Sequence, residues 1–296
     1  MLSTGADPAR LRAHVTVLAG ERHPEFSSTA LDAAGEYVAE QLAALGLRVE
    51  RHAFTFRGRE YHNVVGTTPA VRPDRPRILV GAHFDTVPGT PGADDNASGV
   101  AAMLEAARLV AGDELDAIVE FAGFNLEEPQ GLTFRVGSRA YATDARRRGI
   151  RYAGVFVLEM VGYTNATPGS QDVPALLFWK RVPKTGTFLA ATGHGRSAKL
   201  LRMFADAARA AVPDLPVVTF RTPLRGWLVP DTRLSDNASF WDVGYPALML
   251  TDTAFLRNPN YHSFTDSIET LDFGFMARVT DAVRAAVTRL GSVRPP

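Results

Sequence analysis

Residues 81–99 read GAHFDTVPGTPGADDNASG, and the rest of the chain can be interpreted outward from them. They follow the apolar run RILV and lead into the helical pattern VAAMLEAARLVAG. One loop between a buried strand and a helix thus contains His83, Asp85 and a later pair of Asp residues. Imidazole nitrogens and carboxylate oxygens both bind zinc, so the stretch predicts a metal-binding loop. Taken alone, the same residues also fit a loop whose Asp side chain caps the following helix.

His83 and Asp85 have the spacing of a metal ligand and its supporting acid. Residues i and i+2 of a strand point to the same side, so Asp85 can stand behind His83 and accept its other ring N–H. Asp94 and Asp95 come after VPGTPG, a turn-rich segment that can fold the chain back toward His83. Either Asp could therefore bridge two ions.

Apolar runs typical of buried strands alternate with helical patterns along most of the chain. The predicted strands are RILVGAHF, AIVEFAGFN, YAGVFVLEM, LPVVTF and YPALMLTD, and LRVERHAFTF with YHNVVGTTP alternates like a hairpin. This order predicts an α/β fold, a three-layer α/β/α sandwich around a mainly parallel mixed sheet. No segment resembles a linker, so residues 1–296 are predicted to form a single domain, with 162–195 as an excursion over the site.

The composition excludes several classes of function. Lys plus Arg and Asp plus Glu both total 32, which favours neither nucleic acid nor a membrane as a partner. The chain has no Cys, which excludes disulfides, thiolate zinc sites and a Cys nucleophile. There is no secretory signal and no apolar run near the ~20 residues of a membrane span. We therefore expect a cytoplasmic protein, or a secreted one if a leader was removed, and the sequence predicts no oligomeric state.

The remaining candidate ligands fall just beyond the carboxyl ends of predicted strands, as His83 does. Glu127 and Glu128 end AIVEFAGFN, Glu159 ends YAGVFVLEM, and His262 follows YPALMLTD. In open α/β sheets ligands bind at that edge, so we expect these side chains to converge on one crevice. Two His and three carboxylates, one of them bridging, would make two zinc sites about 3.5–4 Å apart.

Only one acid of the pair Glu127 and Glu128 is then needed as a metal ligand, and the other is available for a different role. A hydrolase of this kind needs a base outside the metal ligands, which takes a proton from the bridging water and passes it to the leaving amine. Ordinary surface acids would give the same pair at a strand end. No nucleophile elbow, phosphate loop or His-Glu-x-x-His helix is present, so serine hydrolase and thermolysin-like interpretations have no support.

The sequence resembles the co-catalytic zinc aminopeptidase family, metallopeptidase family twenty-eight, whose relatives include glutamate carboxypeptidase and glutaminyl cyclase. The matching stretches are GAHFDT, GADDNASG, NLEEPQGLTFRVGS, LEMVGY, RLSDNASFWDVGYPALMLTDT and YHSFTDS. The resemblance implies a zinc-exopeptidase-like fold and two zinc ions per chain, or another divalent ion in their place. It implies these roles: His83 and Glu159 on one ion, Glu128 and His262 on the other, Asp95 as the bridge, Glu127 as general base, and Asp85 behind His83.

Three places depart from the family pattern. Glu159 stands where many members have Asp. Asn237 stands at the His position of the usual stretch Ser-Asp-His. Several relatives stabilise the oxyanion with a Tyr that this chain lacks in the matching neighbourhood. Arg233 could be the substitute donor, or it could pair with Asp236.

The resemblance implies an aminopeptidase, because the free amino terminus of a peptide substrate would lie against the metals and acids. A carboxypeptidase is an alternative, since Arg221, Arg225 and Arg233 could form a basic pocket for a terminal carboxylate. A glutaminyl cyclase works with one zinc, and the retention of both His83 and Glu159 speaks against it. A non-catalytic, receptor-like relative would have lost ligands, whereas all five ligand positions are filled here.

Aromatic residues near the predicted site are candidates for a substrate pocket. Phe240 and Tyr261, together with Trp241 and Phe255, could line an apolar pocket for a substrate side chain. Aromatic residues near buried strands are more often part of the core. The preferred substrate residue is therefore not predicted.

Overall fold

A computed structural model describes residues 5–69, 74–113, 115–174 and 182–292. In these residues the chain forms an eight-stranded sheet. Its strands are β1 (Arg48–Phe56), β2 (Arg59–Thr67), β3 (Arg77–His83), β4 (Val119–Phe124), β5 (Tyr152–Glu159), β6 (Leu189–Gly193), β7 (Val217–Arg221) and β8 (Ala247–Thr251).

The sheet is mixed, with a parallel centre and antiparallel pairs toward both sides. Its order is β1-β2-β4-β3-β5-β8-β6-β7. β4, β3, β5 and β8 run parallel, and β6 is parallel to β7. β1 with β2, β2 with β4, and β6 with β8 are antiparallel. The four central parallel strands therefore end at the same edge of the sheet.

Helices cover both faces of this sheet. They are α1 (Pro8–Leu18), α2 (Ser28–Ala44), α3 (Gly99–Ala111), α4 (Val136–Arg147), α5 (Ala198–Ala211), α6 (Asn237–Asp242) and α7 (Phe273–Gly291). One core contains side chains of α1, α2, α3, α5 and α7, and a second core contains those of α4 and α6. In β3, Ile78 and Val80 belong to the first core and Leu79 to the second, as the alternation of a strand requires. None of the described helices is long and apolar enough to cross a bilayer.

The predicted three-layer α/β/α fold around a mainly parallel mixed sheet is confirmed by this arrangement. Residues 189–193, inside the predicted excursion 162–195, form β6 and pair with β8 in the sheet. Residues 175–181 of that excursion lie outside the described residues. The parallel register brings His83 opposite Phe124 and Glu159 opposite Thr251, so the predicted ligands leave the sheet at one edge.

Candidate metal centre

The loop after β3 is held in place by a buried arginine from the segment after α1. The Arg22 guanidinium donates to the carbonyl oxygens of Phe84 at 2.7 Å and Gly92 at 2.9 Å, and it also bonds Leu18, Gly20 and Pro91. Gly92 has a φ of 60°, and a Cβ there would lie 2.6 Å from the Asp95 carbonyl oxygen. Only glycine fits this tight turn, which folds Asp95 back toward the end of β3.

The first group of candidate ligands consists of His83, Asp95 and Glu159. The His83 Nε2 lies 3.3 Å from Asp95 Oδ1 and 3.4 Å from Glu159 Oε2. All three side chains are buried, and one ligand atom from each lies within 4.8 Å of the others. This spacing can accommodate one metal ion between them.

The second group shares Asp95 and adds Glu128 and His262. The His262 Nε2 lies 3.2 Å from Asp95 Oδ2 and 3.3 Å from Glu128 Oε1. The two carboxylate oxygens of Asp95 therefore face different histidines, one in each group. This is the geometry that a bridging carboxylate requires, and the structure brings together the five residues that the sequence analysis selected.

Asp85 connects the loop after β3 to the end of β4. Its Oδ1 and Oδ2 accept hydrogen bonds from the backbone N–H groups of Glu127 and Glu128, both at 3.0 Å. The His83 Nδ1 lies 3.2 Å from the Asp85 carbonyl oxygen and 3.5 Å from its Oδ1. Asp85 thus faces the ring nitrogen that points away from the proposed metal, and it also orients the two glutamates.

The five candidate ligands and Glu127 form one cluster. Several of its atoms are buried without a hydrogen-bond partner, which fits a metal-binding role. They are the His83 Nε2, the Asp95 Oδ1 and the Glu127 Oε1. Buried polar atoms are normally satisfied, so unpaired donors and acceptors gathered in one place suit residues that bind a metal. Imidazole and carboxylate donors suit zinc and similar divalent ions.

The cluster carries more negative than positive charge, and its pKa values reflect this. Burial opposes ionisation of Asp95, but the neighbouring His262 and His83 rings outweigh it and lower the pKa of Asp95. Burial and the Asp95 charge raise the pKa of Glu128 to about 8. Burial also raises the pKa of Glu127 well above its ordinary value, against the opposing charge of His83. A cation placed between these groups would displace protons and stabilise the charged carboxylates.

Further residues, which the sequence analysis did not select, support the ligands from behind. Asp266 accepts hydrogen bonds from the backbone N–H groups of Asp94 at 2.9 Å and Asp95 at 3.0 Å. The Ser235 hydroxyl donates to Glu159 Oε2 at 2.6 Å. These contacts hold the backbone at Asp95 and the carboxylate of Glu159 in place.

Asn96 ties the same loop to the end of β5. Its Nδ2 donates to the Leu158 carbonyl oxygen at 2.9 Å, and its Oδ1 accepts from the backbone N–H of Met160 at 3.1 Å. Met160 directly follows Glu159, so the loop that contains Asp95 and the strand end that contains Glu159 are held together by one side chain. The stretch DDNASG was notable in the sequence for its acids, and the role of its Asn depends on a strand 62 residues away.

Arg233 and Phe240 lie elsewhere than the sequence analysis anticipated. The Arg233 Nη2 donates to both Asp242 oxygens, at 2.8 and 3.0 Å, and its Nη1 donates to the Arg225 carbonyl oxygen at 2.8 Å. The pairing partner is thus Asp242 rather than Asp236. Phe240 is 0% exposed and packs in the core between the sheet and α4. Arg233 is engaged in holding its own loop, and Phe240 contributes to packing rather than to a substrate pocket.

Tyr261 lies at the site, next to an apolar cavity of about 130 Å³. Its ring stacks on that of His262 with centroids 3.8 Å apart. Burial and the negative charges of the cluster, Asp95 first, raise the pKa of Tyr261, so its hydroxyl stays protonated. The cavity also reaches Glu159, and its walls are mostly apolar side chains: Phe188, Ala190, Val218, Phe220, Met249 and Phe255.

An α/β/α fold that gathers imidazoles and carboxylates at the carboxyl edge of its sheet is typical of metal-dependent hydrolases. A sequence model described as Peptidase family M28 matches residues 63–287 of the chain. The chain therefore belongs to peptidase family M28, which confirms the family resemblance.

Individual relatives agree with this assignment. "Uncharacterized protein YfbL" of Escherichia coli is 34% identical over 290 residues, which are 94% of this chain and 87% of that protein. "Leucine aminopeptidase 1" of Trichophyton rubrum is 28% identical over 247 residues, and the match spans 77% of this chain and only 58% of that protein.

Solved structures show the same fold. An aminopeptidase from Aneurinibacillus sp. strain AM-1 superposes with a TM-score of 0.73 at 17% identity, over 98% of this chain and 96% of that one. A glutaminyl cyclase from Bacteroides thetaiotaomicron has a TM-score of 0.73 at 20% identity, over 96% of this chain and 98% of that one. At these identities the likeness concerns the fold alone.

Proposed function

We propose that this chain is a zinc-dependent aminopeptidase that binds two ions in one catalytic domain. The observation that supports this best is the position of Asp95, whose two oxygens face His83 at 3.3 Å and His262 at 3.2 Å. His83 and Glu159 would hold one ion, and Glu128 and His262 the other, with Asp95 between them. When bound, such a metal pair lowers the pKa of a shared water to about 7 and polarises the carbonyl of the bond to be cleaved.

In this proposal Glu127 is the general base. It is buried beside the ligands, with its Oε1 unpaired and its Oε2 4.0 Å from His83 Nε2. Its raised pKa suits a group that accepts a proton and then gives it to the leaving amine. Asp85 holds the Glu127 backbone, so this carboxylate keeps its position during the transfer.

The proposed substrate is a peptide with a free amino terminus and an apolar first residue. Glu159, one of the proposed ligands, lines the apolar cavity, so a side chain on the residue that contacts the metals would enter it. The Trichophyton rubrum relative is named for leucine, which fits such a cavity. Phe255 and Tyr261 lie in contact at the cavity wall and would pack against this side chain.

The proposal is tested with amino-acid p-nitroanilides and their N-acetylated forms. We expect cleavage of leucine p-nitroanilide and loss of cleavage when its amine is blocked; equal cleavage of both would refute an aminopeptidase. Glu127→Gln should retain bound metal while kcat falls by about two to four orders of magnitude. Near-normal turnover by that variant would remove Glu127 from the role of base.

Metal analysis separates this proposal from the cyclase alternative. A fully loaded protein should hold two zinc ions per chain, because each of the two groups has three possible ligand atoms within 4.8 Å of one another. Stable retention of a single ion, together with cyclisation of amino-terminal glutamine, would favour a glutaminyl cyclase instead.

A further inference from the structure

A buried arginine, Arg135, has its backbone next to that of the candidate base Glu127. It is 5% exposed, and its Nε and Nη1 are buried without a hydrogen-bond partner. Its backbone N–H donates to the Glu127 carbonyl oxygen at 2.6 Å, which closes the loop that joins β4 to α4. The side chain therefore starts from a backbone position fixed directly against Glu127.

Burial lowers the pKa of Arg135, and the charges of nearby acidic side chains oppose this. Among the opposing charges, Glu127 acts on it most strongly, and Asp236 and Asp242 follow. Each of them acts at a distance and not through a hydrogen bond. Asp242 is already paired with Arg233, and both Asp236 oxygens are themselves buried without a partner. The guanidinium thus lies near several acids, and its Nε and Nη1 form a hydrogen bond with none of them.

An unpaired buried guanidinium is costly unless a partner arrives. The planar N–H donors of a guanidinium match the two oxygens of a carboxylate, which is the anionic group of an unmodified peptide. The Phe134 ring lies 4.4 Å from the guanidinium carbon and covers one of its faces, which leaves the edge with its N–H groups for a ligand. The position also suits a leaving group, because Glu127 is the residue that would give a proton to the leaving amine.

We propose that Arg135 binds the α-carboxylate of the residue that leaves, so that the preferred substrates are dipeptides with an apolar first residue. This inference rests on the proposed aminopeptidase function. In a dipeptide the carboxylate is separated from the leaving nitrogen by one carbon atom, so a cation beside the proton donor can reach it. A longer peptide has a neutral amide at that place, which offers one acceptor oxygen and no charge to the guanidinium.

The experiment compares Leu-Gly with Leu-Gly-amide, which differ only in that group: the amide has no charge and one acceptor oxygen fewer. For the unmodified protein we expect kcat/KM to be about 10- to 100-fold higher for Leu-Gly, mainly through KM, as for other charge-assisted hydrogen bonds. Arg135→Met should remove this preference, and Arg135→Lys should restore part of it. Arg139→Met changes an exposed arginine in the first turn of α4 and should keep the preference.

Each other outcome has a distinct meaning. Equal cleavage of the acid and the amide by the unmodified protein would overturn the proposal without any variant. An equal loss for both substrates in Arg135→Met would show that the guanidinium only balances Glu127 and Asp236, which also overturns it. If neither Leu-Gly, its amide nor leucine p-nitroanilide is cleaved, the aminopeptidase function itself fails.

Discussion

Replacing Asp85 by Asn should destabilise the fold and weaken metal binding at the candidate metal centre. Asp85 is fully buried, and each of its oxygens accepts one backbone N–H, from Glu127 and from Glu128 at 3.0 Å. Hydrogen bonds to a buried charged group contribute about 1.5–3 kcal/mol each. An Asn side chain keeps one acceptor, but its NH₂ group would meet the second N–H, which then loses its partner.

We therefore expect Asp85→Asn to lower the free energy of unfolding by about 2–4 kcal/mol. Zinc affinity should fall by about 10- to 100-fold, because the carboxylate also faces the His83 Nδ1 at 3.5 Å. The first effect is measured by urea unfolding of the metal-free protein, and the second by competition with a chelator of known affinity.

A matched control separates these effects from the simple loss of an acid. Asp206 lies on the exposed side of α5, 3.4 Å from Arg209, and Asp206→Asn should change neither quantity by a measurable amount. The free energy of unfolding of Asp85→Asn could instead lie within about 1 kcal/mol of that of the unmodified protein. If zinc affinity were also unchanged, the proposed role of Asp85 in supporting the loop and the ligands would be refuted.

Three further predictions concern other parts of the molecule. Ser235→Ala removes the donor to Glu159 and should lower zinc affinity about 10-fold in chelator competition; unchanged affinity would contradict this. Burial disfavours the charged form of Asp113, but hydrogen bonds from Arg284 outweigh this effect and lower the pKa of Asp113. The charged carboxylate therefore stabilises the fold above pH ~4, and this stabilisation is lost as the pH falls through the lowered pKa. Asp113→Asn should thus cost about 1 kcal/mol at pH 7 and progressively less toward pH 3 in urea unfolding, and a constant difference would refute this. Ala190→Leu fills the apolar cavity and should reduce kcat/KM about 10-fold or more for leucine but not alanine p-nitroanilide, whereas equal losses would argue against a substrate pocket there.

The fold could be predicted because its strands are buried on both faces. β3, β4 and β5 appear in the sequence as nearly continuous apolar runs, and helical patterns separate them. That order leaves few arrangements besides a parallel sheet between two helical layers. The sequence did not indicate that β6 runs antiparallel to β8, because the segment before it has no periodic pattern.

The candidate ligands could be selected because each follows the carboxyl end of a strand, where topology alone brings distant residues together. The roles assigned to His83, Asp95, Glu128, Glu159 and His262 stay predictions until metal is measured. The supporting residues could not be selected in this way. Arg22 and Asp266 act through backbone groups of a loop that is distant in sequence, and neither belongs to a pattern that marks it.

Side-chain direction was the second limit. Phe240 lies in a helix of six residues, and the packing against α4, rather than a local pattern, turns it into the core. Arg233 has acids both three and nine positions later, and only the path of the loop brings Asp242 to its guanidinium. Predictions of this kind require knowledge of how neighbouring elements cross.

The contact between Arg22 and the loop at Gly92 has a consequence for work with fragments. The family match begins at residue 63, and a shortened protein that starts there would omit Arg22 along with the first two helices. The glycine turn would then lose its anchor, and Asp95 would be free to swing away from its histidines. Such a fragment should not bind zinc even if its sheet forms. Domain boundaries chosen from sequence similarity alone would therefore remove a residue that the candidate metal site needs.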